Sequence, residues 1–346
     1  MRAVWFERFG APPEVREVAD PVAAVGGVVV AVEATGLCRS DWHAWSGHDD
    51  GVRLPHVPGH ELAGRVHAVG TGVARWQVGD RVTVPFVCGC GECEHCRAGD
   101  AQVCPQQTQP GFTQWGSFAE LVALDNADAN LVGLPDALTM PDAASLGCRF
   151  ATAFRALHDR ARVRPGEWVA VVGCGGLGLS AVMIAKAAGA RVVATDVSAE
   201  SRRLARDLGA DVTRDASSAP VPPAIEEVTG GGAHVSLDAV GSAQTCADSI
   251  LCLRRRGRQV QVGLIPAAQG RPGVPMDRVI AYELDVFGSH GMAAAGYPAL
   301  LEQVAAGRLR PDRLVGRTIG LAEGARELEL MAERPATGIT VIDPRR

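Results

Sequence analysis

Val172-Gly173-Cys174-Gly175-Gly176-Leu177-Gly178 stands between a short apolar run, Trp168 to Val172, and an alanine-rich stretch with helical spacing, Leu177 to Ala188. A bare GxGxxG match is weak, but a strand before it and a helix after it give it the context of a dinucleotide-binding turn. Gly173 permits the tight turn, Gly175 lets backbone approach a pyrophosphate, and Gly178 lets helix and strand pack closely. The N–H groups at Gly176 and Leu177 open the helix and face the phosphates. The rest of this half is then constrained. Strands are predicted at 191–195, 235–239, 259–263 and 285–288, with helical pattern between most of them, including 201–208. Alternating strands and helices mean βαβ units, a parallel doubly wound sheet and right-handed crossovers. Asp196 ends the second strand. An acid there accepts hydrogen bonds from ribose hydroxyls and repels a 2′-phosphate, which predicts NAD over NADP. A strand-end aspartate capping the next helix is compatible with that role. Arg202 is a further cofactor candidate; with Arg203 it keeps NADP open as the alternative, since arginine accepts that phosphate. Val262 in the 259–263 strand joins the cofactor candidates, and Cys174 is read as filler.

The chain has 346 residues, enough for two domains. Residues 1–150 are β-rich, with period-two or apolar strands predicted at 28–32, 65–69, 80–84 and 119–124. Dense glycine and proline fit a barrel-like β fold with functional loops. The α/β domain is placed at 151–289. The tail, 290–346, carries a helix at 297–306 and a last strand at 338–342 that returns to the first domain. A net charge of −5 gives no electrostatic footprint for nucleic acid. Met1 to Phe6 hold no long apolar run, and no stretch of about 18 apolar residues predicts a membrane span. A cytoplasmic protein is expected, so clustered cysteines among the ten are read as metal ligands rather than disulfides.

Cys90, Cys93 and Cys96 have C-x2-C-x2-C spacing, with Cys104 eight residues on, inside a lobe at 88–104. Four thiolates so spaced suit a closed tetrahedral zinc that staples a loop lacking its own core. An iron–sulfur cluster is the rival. Cys88 and His95 are surplus. A second set is scattered: Cys38 in Cys38-Arg39-Ser40-Asp41-Trp42-His43, His60-Glu61 after Pro58-Gly59, and Cys148 after Leu146-Gly147. Cys38, His60 and Cys148 are the candidate ligands of another zinc.

These motifs, with Gly36-Leu37-Cys38, Gly59-His60-Glu61-Leu62-Ala63-Gly64 and Val78-Gly79-Asp80-Arg81-Val82, fall in one order along nearly the whole chain. The chain resembles the zinc-dependent alcohol dehydrogenases of the medium-chain dehydrogenase/reductase superfamily. The resemblance implies a GroES-like β-barrel catalytic domain plus a Rossmann domain, with the C-terminal segment rejoining the first. It implies catalytic zinc on Cys38, His60 and Cys148, hence two zinc ions per subunit, and reversible hydride transfer between an alcohol and NAD. Glu61 looks like the glutamate that can reach the metal, and Asp41 like the carboxylate that orients a ligand histidine. Ser40 and His43 match a proton relay, and Arg39 matches a pyrophosphate contact. A homotetramer is expected, a homodimer being the other form. Where many NAD-dependent members carry lysine five residues after the ribose aspartate, this chain has Ser201, with Arg202 next.

Trp45, Phe86, Trp115 and Phe150 are read as pocket lining, which favours an apolar or aromatic alcohol; simple core packing is the other reading of such side chains. His290 is left without a role. The same machinery acting as a reductase, or on a polyol, an amino alcohol or a hydroxyacyl thioester, is the alternative within enzymes. A zinc- and NAD-binding protein without turnover is the alternative outside them.

Overall fold

The computed structural model describes residues 1–265, 270–333 and 338–346. The chain forms two compact units, one of Met1–Ala151, Gly291–Leu301 and Val315–Arg346, the other of Thr152–His290 and Glu302–Leu314. The first unit opens with an antiparallel pair, β1 (Arg2–Trp5) and β2 (Glu14–Glu17). Its spine is β3 (Val28–Leu37), whose four valines are all buried. Antiparallel to β3 run β4 (Glu61–Val69) and, after β5 (Arg81–Thr83), β6 (Leu121–Leu124); β5 pairs with β4 on one side and β7 (Val132–Gly133) on the other. Thr35 faces Leu62 and Gly36 faces Glu61 across the β3–β4 ladder. That register sets the residue after β3, Cys38, beside the residue before β4, His60.

The second unit is a six-stranded sheet, parallel throughout: β8 (Trp168–Val172), β9 (Arg191–Asp196), β10 (Val212–Asp215), β11 (Ala233–Asp238), β12 (Leu253–Gln261) and β13 (Asp285–Gly288). The order β10-β9-β8-β11-β12-β13 is the doubly wound one, with the reversal between β8 and β11. The glycine turn leaves β8 at that switch point. Helices Gly176–Ala187, Ala199–Asp207, Val221–Thr229 and Ala243–Leu251 join successive strands. The expected strands are present, but β3 runs on to Leu37 and β12 starts six residues early, at Leu253, and ends at Gln261, before Val262. The short β10 was not legible, because Val212-Thr213-Arg214-Asp215 is polar and only half-buried at the sheet's margin.

The last strands, β14 (Val315–Ile319) and β15 (Ile339–Ile342), pair in parallel, and β15 docks antiparallel on the end of β3. Ile319, Leu321, Leu328 and Ile342 join Val4, Phe6, Leu37 and Trp45 in one buried cluster. The tail is divided, however. Residues 302–314 group with the second unit, where Arg313 donates to the Asp207 carbonyl and the Arg310 N–H meets the Met183 sulfur, so the expectation of a return by all of 290–346 is corrected there. Among the described residues no helix is long and apolar enough to cross a membrane.

Five of the six tryptophans, Trp5, Trp42, Trp45, Trp76 and Trp115, lie in the first unit, so tryptophan fluorescence follows its unfolding. Ile342→Ala empties a fully buried site and should lower stability by about 3 kcal/mol in denaturant titrations read that way. A loss below about 1 kcal/mol would show that β15 is peripheral to this core.

Candidate metal centre and cofactor loop

Cys38 closes β3 and stands at the N-cap of the helix Arg39–Trp45. His60 precedes β4, and Cys148 lies in a π turn at Leu146–Phe150, a departure from α-geometry often found at functional positions. One ligand atom from each of Cys38, His60, Glu61 and Cys148 falls within 4.8 Å of the others. His60 is buried; its Nδ1 is 2.7 Å from an Asp41 carboxylate oxygen, and its Nε2 has no hydrogen-bond partner. The Asp41 bond holds hydrogen on Nδ1 and leaves the Nε2 lone pair facing two thiols, the donor set of a metal site with its ring fixed from behind. The hydrogen bond from Cys148 outweighs burial and, with Arg149, holds the Cys38 thiol well below its ordinary range. The same bond, with burial, pushes Cys148 well above it. Burial works against charge on His60, but Asp41 and Cys38 overcome it and raise the imidazole well above its ordinary range. A divalent ion bound here would take the place of the protons so held. Two sulfurs and one imidazole nitrogen fit zinc with a fourth position left open.

Glu61 is the fourth group whose ligand atom falls within this set, and Arg149 holds it. The Arg149 backbone N–H and Nε donate to one Glu61 oxygen at 2.9 and 3.1 Å, and Nη2 donates to the other. Burial raises the Glu61 carboxyl above its usual range, and Arg149 pulls against that. The space is made by glycines: a Cβ on Gly36 would meet a Glu61 oxygen at 2.2 Å, and one on Gly147 would lie 3.0 Å from the Glu61 Cα.

The second cluster is Cys90, Cys93, Cys96 and Cys104, again with ligand atoms within 4.8 Å of one another. Backbone N–H groups of Cys90, Cys93, Cys96 and Gln106 donate to cluster sulfurs at 3.3 to 3.5 Å. Hydrogen bonds from the Glu92 and Cys93 backbone bring Cys90 down to about 7, while burial first of all pushes Cys96 up to about 12. No carboxylate or imidazole enters the set. Asn130 fastens this lobe to the sheet by exchanging two hydrogen bonds of 2.9 Å with the Gly89 backbone. Cys88 stays outside, buried with its thiol on the Pro85 carbonyl.

In the second unit, Gly173 takes φ +92°, and a Cβ on Gly178 would sit 1.8 Å from the Gly173 carbonyl. A Cβ on Gly175 would meet nothing within 4 Å, so that position faces open space. The helix Gly176–Ala187 has no side-chain cap, which leaves its first N–H groups to an anion. Asp196 accepts from the Cys174 and Ser198 N–H groups at 2.6 and 2.7 Å, which ties β9 to the turn.

Residues 24–136 match the alcohol dehydrogenase GroES-like domain and residues 176–306 the zinc-binding dehydrogenase domain. An alcohol dehydrogenase of Rhizobium meliloti is 39% identical over 295 residues, 84% of each chain. One from Geobacillus stearothermophilus is 35% identical over 316 residues, 90% of each. The crystal structure of an NAD-dependent alcohol dehydrogenase superposes with a TM-score of 0.89 at 32% identity, covering 99% of both chains. The chain belongs to the zinc-dependent alcohol dehydrogenase family. Its fold is that of the family, a GroES-like domain and a Rossmann-like parallel sheet, and its activity class is alcohol oxidoreduction.

Ser40 Oγ is 3.8 Å from the Cys38 sulfur. His43 lies on the same short helix, and burial, then Arg39 and His48, bring it down to about 4. Arg39, expected on a pyrophosphate, instead donates to the Met331 carbonyl at 2.8 Å and lies over the Trp42 ring. Arg202 bonds the Asp196 carbonyl at 2.7 Å and pairs with Asp215 at 2.8 Å; Arg203 pairs with Asp207. The Val262 N–H reaches the Asp238 carbonyl at 3.3 Å. Of the expected pocket aromatics, Phe86 has its ring 6.0 Å from that of His60. Trp45 is in the first unit's core with its indole N–H on the Ala11 carbonyl, Phe150 is fully buried, and Trp115 packs edge-on against Trp5. Phe112, 5.0 Å from the His60 ring, was missed. So were Arg149, and Asp238, whose buried carboxylate accepts from Val240, Gly241, Thr245 and Gln261. The one local signal for Arg149 was its position next to Cys148.

Arg149→Met strands the Glu61 carboxylate in a buried site and should cost about 3 kcal/mol of first-unit stability. Glu61→Gln in the same chain should return most of it. A double variant as unstable as Arg149→Met would place the role of Arg149 elsewhere.

Proposed function

We propose that this chain transfers hydride reversibly between an alcohol and NAD, with one zinc on Cys38, His60 and Cys148 and a second on Cys90, Cys93, Cys96 and Cys104. The carrying observation is the convergence of Cys38, His60 and Cys148 around the unpartnered His60 Nε2, with Asp41 fixing the ring from behind. A zinc there supplies Lewis-acid acidification of the alcohol hydroxyl. Asp41 orients His60. Arg149 keeps Glu61 off the fourth position, which leaves it to the substrate. Ser40 Oγ, beside Cys38, takes the alcohol proton, and His43 carries it toward solvent. His43 is on the same helix face three residues on, and at about 4 it is neutral at pH 7 and free to accept. The four-cysteine site is closed by sulfur alone, so its metal staples the lobe.

The turn at Gly173 to Gly178 and the open N-terminus at Gly176 and Leu177 suit a pyrophosphate, and Asp196 suits the ribose hydroxyls. Arg202 is already paired with Asp215, which supports NAD over NADP, in keeping with the NAD-dependent relative. Arg39 spends Nη1 on the Met331 carbonyl and keeps further N–H groups for a pyrophosphate. Phe86 and Phe112 against His60 favour an apolar alcohol. For assembly, β13 ends its sheet with no strand beyond it among the described residues. Val286, Ile280 and Met276 are exposed there at 44, 73 and 51%. Such an edge pairs with a copy of itself, which supports a homodimer, with a tetramer needing one further surface. A cytoplasmic location accords with cysteines left free for metal.

Elemental analysis should give about two zinc ions per chain, and one per chain in active enzyme would remove one site. Turnover followed by absorbance of reduced cofactor should be far faster with NAD than NADP, and with benzyl alcohol than sorbitol or threonine; reversed rankings would refute each assignment. Ser40→Ala should lose most turnover, on the order of a hundredfold, and keep its zinc. Val286→Lys should lower the mass measured by light scattering; an unchanged mass would move the interface away from β13.

A further inference from the structure

We infer that the proton path does not end at His43 but runs through an imidazole–imidazole hydrogen bond to His48, whose exposed ring hands the proton to water. The inference rests on the Ser40–His43 reading above. His43 Nδ1 lies 3.0 Å from His48 Nδ1. Two ring nitrogens share a hydrogen bond only when one carries hydrogen and the other a lone pair, so the pair holds one transferable proton between them.

The surroundings hold the two rings together. The His48 N–H donates to the His43 carbonyl at 2.9 Å, which folds the chain back after the helix. Gly47 makes that reversal at φ +78°, where a Cβ would come within 3.0 Å of the Phe9 ring. Both imidazoles stand edge-on to Trp42, with ring centres 5.0 and 5.4 Å away. Burial, Arg39 and His48 itself keep His43 at about 4, with Cys38 alone opposing them. At neutral pH His43 is therefore a poor place to store a proton and a good place to pass one on. His48 is exposed and can release it.

The transfer balances with N–H bonds alone. A proton arrives at His43 Nε2. The hydrogen on His43 Nδ1 moves to His48 Nδ1, and His48 Nε2 gives its hydrogen to water. Both rings end neutral, with their tautomers exchanged, and exchange with water after product leaves restores them. Imidazole suits this because it accepts on one nitrogen while it donates from the other.

The decisive variant is His48→Asn. Its amide keeps a polar partner for His43 Nδ1 but cannot accept and release a proton. In single-turnover experiments in dilute buffer at pH 7, the rate of cofactor reduction should fall about tenfold. It should recover as free imidazole is added, with zinc content, KM and melting temperature unchanged. His43→Asn should also be slow, and the double variant should be no slower than His43→Asn alone, because the two act in series. A wild-type rate for His48→Asn beside a slow His43→Asn would end the path at His43 and overturn this inference only. Wild-type rates for both would overturn the relay on which it rests. A slow His48→Asn that imidazole does not rescue would make His48 a support for the loop and overturn the inference too.

Discussion

The Asp41 carboxylate is the tie on which the metal site depends. One oxygen accepts from the Cys38 N–H at 2.9 Å; the other takes the Gly59 N–H at 3.1 Å and His60 Nδ1 at 2.7 Å. It therefore joins the loop that ends β3 to the loop that begins β4, and sets two ligands of different strands in one geometry. Asp41, His60 and Glu61 are fully buried, which makes charge balance strict. Two thiolates and two carboxylates carry four negative charges; Arg149 supplies one positive. A divalent ion brings the sum to minus one. Without it the cluster must keep protons, which is why Cys148 and His60 both hold theirs above the ordinary range. Burying so much like charge is tolerable only where a cation belongs.

Most of the architecture could be read because its signals are local. The turn from Gly173 to Gly178 needs its glycines for reasons seen within a few residues, and the strand and helix around it follow from apolar runs. The four cysteines announce themselves by spacing. Cys38, His60 and Cys148 are far apart in sequence, and they were joined through resemblance to a family, since nothing local marks Cys148. Arg149 and Phe112 escaped because their roles depend on what the fold sets opposite them. Arginine after a cysteine is unremarked until β4 brings Glu61 to face it. The aromatics could not be assigned from sequence for the converse reason. Trp45 and Phe150 are apolar enough to line a pocket or fill a core, and the core claimed both; Trp115 found Trp5.

The same logic separates the two ends of the helix Arg39–Trp45. At its start, Cys38 and Asp41 are pinned by bonds to backbone and to His60. At its end, His43 and His48 meet in a reversal that Gly47 permits. A pinned end at Cys38 and a solvent-facing end at His48, eleven residues apart counting both, would let one short stretch serve a metal and a proton path, which is what the cysteine, serine, aspartate and histidines packed into it suit. Asp238 does similar work in the other unit. Its carboxylate gathers Val240, Gly241, Thr245 and Gln261, and its carbonyl takes the N–H groups of Val262 and Gly263. The backbone at the ends of β11 and β12, beside the switch point, is thereby fixed.

The two sulfur clusters differ less in their cysteines than in how each fourth position is treated. In the lobe, Cys104 completes a set of four sulfurs, and backbone N–H groups rather than side chains temper their charge. A metal held there is saturated and has only the loop to hold. Around His60 the fourth donor within reach is a carboxylate, and both its oxygens are committed to Arg149. An oxygen so held is a ligand in waiting: near enough to matter, and too well paired to bind by default. Arg149 thus sets how far the Glu61 carboxylate is available to a metal held by Cys38, His60 and Cys148. On the function proposed above, the depth of the Glu61–Arg149 pair, and not the identity of the three ligands alone, would decide whether a substrate hydroxyl can compete for the fourth position.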